Sequence, residues 1–62
     1  MSERTMEWAL RISHEVLAGG GEAEEWLRHK CRWEHMSRTA VIREWGDPRE
    51  VVAAQKRKAP HV

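Results

Sequence analysis

The sequence predicts an all-α fold, a small helical hairpin with one or two short helices packed across it. Apolar residues recur at spacings of three and four, glycine and Asp-Pro signals punctuate the chain where helices would end and begin, and no segment alternates like a strand. With 62 residues the chain is expected to form one domain, 1–62. A domain of this size is marginal alone, and a metal, an oligomer or a partner often completes its core.

The first helix is expected over 3–18. Ser2 is a good cap, the run reaches Ala18 without Gly or Pro, and Gly19, Gly20 and Gly21 stop it. Met6, Ala9, Leu10, Ser13, Val16 and Leu17 share a face that is expected to meet the core. Trp8 and Ile12 lie on a shoulder beside it, so the apolar arc spans roughly 200° where a surface helix needs only about 100°. Two options stand for that shoulder: a neighbouring helix covers it, or it is a self-association or partner surface.

The second helix is expected over 22–36. Glu22, Glu24 and Glu25 fill its first turn, where the helix dipole favours negative charge. Ala23, Trp26, Leu27 and Cys31 form its apolar stripe. Continuing that stripe would need apolar residues where Glu34, Ser37 and Arg38 stand, and the pattern resumes only at Val41, Ile42 and Trp45. A break near Met36 to Arg38, with Ser37 capping a third helix over 38–45, therefore stands beside one continuous helix.

Gly46, Asp47, Pro48, Arg49 and Glu50 give a full start signal for a last helix over 48–58: Gly past the preceding helix, Asp as N-cap, Pro at the first position and Glu completing a capping box. Lys56, Arg57 and Lys58 complement its negative end before Pro60 stops it. Residues 59–62 are expected as a disordered tail.

Composition narrows the function classes. No stretch approaches the roughly 18 apolar residues of a membrane span, and MSERTMEW lacks the apolar core of a signal peptide. Cys31 is the single cysteine, so no intramolecular disulfide is available, and a cytoplasmic location is expected. His29, Cys31 and His35 are the only local cluster of metal-ligand types, but His29 points away from the other two and the paired spacing of a zinc site is missing. Cys31 and His35 one turn apart resemble half of a nucleophile and base pair, on a chain too short to build a cleft and an oxyanion site around them. Neither metal nor cofactor nor catalytic residue is expected. The triple glycine is followed by three glutamates within four residues, which would repel phosphate.

Charge and tryptophan content are more informative. Eleven Lys and Arg face ten Asp and Glu, yet residues 1–27 carry two basic and six acidic side chains and residues 28–62 carry nine and four. Four tryptophans in so short a chain exceed what a small core needs, and Trp and Arg are enriched at binding hot spots. Trp26 and Trp45 sit on the expected inner stripe. Trp8 and Trp33 do not, and with Ile12, Arg28 and Arg32 they form the candidate partner-binding set. The sequence thus points to a non-enzymatic helical protein acting by binding another protein, as an inhibitor, adaptor or assembly factor, with a homodimer as one form. The alternative is a nucleic-acid-binding accessory protein using Arg38, Arg43, Lys56, Arg57 and Lys58, with Trp33 and Trp45 interleaved for stacking. Glu34, Glu44, Asp47 and Glu50 dilute that basic half.

Overall fold

The computed structural model describes residues 4–58, and among them the chain forms four helices: α1 (Met6–Gly19), α2 (Gly21–Glu34), α3 (Arg38–Trp45) and α4 (Pro48–Lys58). The all-α class is as the sequence predicts. The expected helix start at residue 3, its Ser2 cap and the tail over 59–62 lie outside the described residues.

Within them α1 starts later than expected, because Thr5 takes the capping role. Its hydroxyl accepts the Trp8 N–H at 3.1 Å. Arg4, one residue earlier, is drawn to the far end of α3, where Nη1 donates to the Arg43 and Glu44 carbonyls at 3.1 and 3.0 Å. Those carbonyls belong to the unsatisfied last turn of a helix, so a cation there meets both a hydrogen-bond need and the negative dipole end.

A single residue joins α1 to α2. Gly20 sits at φ 65°, ψ −151°, a region essentially reserved for glycine, and its N–H closes on the Val16 carbonyl. The second helix ends at Glu34, two residues before expected. His35 enters the left-handed region at φ 55°, ψ 46°, and the N–H groups of His35 and Met36 both reach the Cys31 carbonyl. Met36 and Cys31 each pack against the core at this helix ending. Ser37 then accepts the Ala40 N–H at 3.2 Å and starts α3, so the chain breaks here rather than running on as one helix.

At the next corner Gly46 lies at φ 100°. Asp47 Oδ1 accepts the Arg49 N–H at 2.9 Å, and Pro48 is buried at the first position of α4. Arg49 grips this cap where the sequence suggested Glu50: its guanidinium reaches both Asp47 oxygens, at 3.0 and 2.7 Å.

Ala9, Ile12 and Val16 of α1, Leu27 of α2, and Val41 and Ile42 of α3 form the core, with Trp8, Ala23, Trp26, Cys31 and Met36 packed around it. Burying an aliphatic side chain of this kind contributes about 1.5–3 kcal/mol, so a core of six leaves little margin. The two long helices touch each other less than they touch the short ones. α3 packs on α1 and α2, while α4 packs on α2.

That arrangement corrects the expected orientation of α1. Ile12 is only 4% exposed and lies in the core, not on a contact shoulder, whereas Met6, Leu10 and Leu17 are 48, 47 and 59% exposed. The cause is where α3 lands. Arg38 at its first position is tied to Ser13 and Glu24, which seats α3 over the Ala9, Ile12 and Val16 side of the arc. Trp45 also departs from a wholly inner position. Its ring meets Trp26 edge-on with centroids 5.9 Å apart, and Lys30 Nζ lies over the ring 4.3 Å from its centroid.

Candidate interaction surface

On α2, burial of Leu27 and Glu24 fixes which side faces out. At about 100° per residue, Glu25, His29, Arg32 and Trp33 then fall on the opposite, solvent side, and Arg28, also exposed, stands at its border. Two adjoining shallow depressions follow from this. Glu25, Arg28, His29 and Arg32 line one, and His29, Arg32, Trp33 and His35 line the other. Trp33 is 79% exposed, the most exposed large apolar side chain among the described residues. An indole in that state forgoes the burial that would normally stabilise a small core.

The charges around it are available. Arg28 and Arg32 form no ion pair with a described residue, while Lys30 and Glu34 pair on another side of the helix at 3.3 Å. Arg32 lies in the last turn, where a cation is favoured by the helix dipole. Glu25 is the single acid in either lining. The surface therefore combines an apolar aromatic plate with two guanidinium groups and two imidazoles.

Of the five candidate partner residues, Arg28, Arg32 and Trp33 come together here. Trp8 does not join them. It is half-buried against the core and lines a different depression with Thr5, Glu7 and Arg11. Ile12 is in the core. His29 and His35, which the sequence singled out only as metal-ligand types, flank Trp33 instead. The i−4 spacing of His29 from Trp33 was the signal for one of them, while His35 joins through the left-handed turn that ends α2.

The five candidate nucleic-acid residues are dispersed. The guanidinium of Arg38 is engaged by Glu24 and Ser13 within the molecule. Arg43 Nε donates to the Arg4 carbonyl at 3.0 Å. Lys56 meets Glu22 across the α4 and α2 faces at 2.7 Å, an exposed pair of small energetic weight. Arg57 and Lys58 are exposed on the last turn of α4.

One further group bears on chemistry. Burial pushes the Cys31 thiol above its ordinary range, with the Arg38 charge opposing, so thiolate is scarce at neutral pH. Among the described residues no group of three or more His, Cys, Asp or Glu side chains is placed to hold a metal, and no helix is long and apolar enough to cross a membrane. Comparison with known proteins finds no family, no curated protein and no solved structure that matches this chain.

Proposed function

We propose that the protein acts by binding another protein through the outer face of α2, as an inhibitor, adaptor or assembly factor without catalysis of its own. The observation that carries this reading is Trp33, 79% exposed between Arg28, Arg32, His29 and His35. Aromatic and Arg side chains grouped in this way are the residue types that anchor interfaces. The partner chemistry that fits is an acidic surface with an apolar recess for the indole, since the donors on this face outnumber its one acid, Glu25. Nucleic acid would also accept an aromatic plate and guanidinium groups. The internal commitment of Arg38 favours the protein reading.

The test is cross-linked capture from cell extract with wild type, Trp33→Ala and Trp8→Ala in parallel. A protein captured by wild type and Trp8→Ala and lost with Trp33→Ala supports the reading. Loss with Trp8→Ala alone overturns it. So does retention of nucleic acid whose binding falls steeply with salt and is abolished by replacing Lys56, Arg57 and Lys58 with Ala.

A further inference from the structure

The outward row of α1 has no cover among the described residues. Met6, Leu10, Ser13 and Leu17 fall within about 60° of one another on the helix, spaced four, three and four residues apart. That is the spacing of a heptad seam, and three of its four positions are exposed aliphatic side chains. On one border stands Arg38, beside Ser13, with its charge already met by Glu24 at 2.7 Å. On the other border stand Glu7 and His14, both exposed.

We propose that a second copy of this chain covers this row, the two α1 helices lying antiparallel about a two-fold axis near Arg11. The charge pattern of the border selects both the occupant and the direction. In an antiparallel pair related by a two-fold axis, residues equally distant from the axis on opposite sides of it in sequence lie opposite each other, and the same border of both helices falls on the same side. Glu7 and His14 stand four and three residues from Arg11. Each Glu7 carboxylate therefore meets the imidazole of His14 from the other copy, an acceptor facing a donor, twice per dimer. Met6 and Leu17, five and six residues from Arg11, meet in the same way, and Leu10 packs near its own mate across the axis. In a parallel pair the two-fold axis runs along the helices and turns this border toward the partner's other border, the one beside Ser13 and Arg38, so Glu7 and His14 would not meet. The seam lies on α1 and uses none of Arg28, Arg32 or Trp33, so it stands independently of the α2 reading.

The test is mass in solution by sedimentation equilibrium from about 5 μM to about 500 μM, for wild type and four variants. Wild type is expected to approach twice the 7.3 kDa chain mass at the upper end. Leu10→Glu is expected to stay monomeric with unchanged helicity, because Leu10 is an exposed position. Glu7→Lys is expected to raise the dimer Kd about threefold to thirtyfold, and the double variant Glu7→Lys with His14→Glu to bring it back toward wild type. Trp33→Ala is expected to dimerise as wild type does. A monomer at every concentration overturns the proposal and leaves the row to another occupant. A dimer that Leu10→Glu leaves intact places the contact elsewhere, and a double variant no better than Glu7→Lys overturns the antiparallel register.

Discussion

The guanidinium of Arg38 faces the carboxylate of Glu24 through two hydrogen bonds, Nη1 to Oε2 at 2.7 Å and Nη2 to Oε1 at 3.0 Å. Two further donors, on Nε and Nη2, reach the Ser13 hydroxyl at 2.8 Å and the Ser13 carbonyl at 2.9 Å. One side chain thus ties α1, α2 and α3 together. Glu24 is 8% exposed, so the pair is a polar joint set into the edge of a small core. Arg38→Met leaves that carboxylate without its partner and is expected to cost about 2–4 kcal/mol, below the full figure for a buried pair because Arg38 itself keeps contact with water. Combining it with Glu24→Leu should recover most of the loss. Urea midpoints measure both, and a loss under about 0.5 kcal/mol for Arg38→Met would make the pair no more than a surface contact.

Acid stability should depend on Arg49. Its hydrogen bonds hold the Asp47 carboxyl below its ordinary 3.8, and hold Glu15, 2.9 Å away and also bonded to Arg11, below its ordinary 4.5. Depressed folded values mean that the stabilisation is complete above the unfolded values and disappears as pH falls through the folded ones. The window is therefore below about pH 4.5. Arg49→Leu is expected to lower stability at neutral pH and to flatten its decline in acid, so that the two proteins converge near pH 2. Unfolding curves at a series of pH values would show it, and parallel curves would count against this role.

How far the sequence alone reaches follows from these residues. Helix ends were legible because caps act locally: Ser37 and Asp47 bond to amides two or three residues away, and both stand where the sequence placed them. Trp33 was legible because it falls off the apolar stripe of its own helix. The facing of α1 was not, since an apolar arc wider than one helix can cover contains two plausible inner faces. Choosing between them required the position of α3. That in turn depends on Arg38 reaching Ser13 and Glu24, 25 and 14 residues away in sequence, where no periodicity speaks.

His35 occupies a conformation that favours glycine. The left-handed region costs an L residue roughly 1–2 kcal/mol, and His35 bears that cost at φ 55°. His35→Gly is expected to hold or raise stability by up to about 1 kcal/mol, and His35→Val to lower it by at least as much. Thermal midpoints would rank the three proteins, and His35→Val matching wild type would mean the turn tolerates another geometry.

Cys31 should react slowly. Its thiol is raised by burial and sits among core residues at the foot of the Met36 turn. Alkylation by iodoacetamide at pH 7.5 is expected to run about tenfold or more below the rate in denaturant, where the ordinary thiol value returns. Equal rates would show that the α2 ending opens freely.

Gly20 has a consequence for how the molecule divides its contacts between chains. The corner holds only while Gly20 and Gly21 keep their positive φ values of 65° and 72°, and nothing crowds either position, so conformation alone is the constraint. Alanine at both would lose roughly 1–2 kcal/mol per residue in the bent form and gain about 1 in a helix. The bent and straight forms are then in competition. A straightened chain carries α1 and α2 as one rod about 43 Å long, and α3, which needs both, can find α1 only on another molecule. Gly20 and Gly21 thus favour the bent corner, in which each α3 packs on the α1 of its own chain.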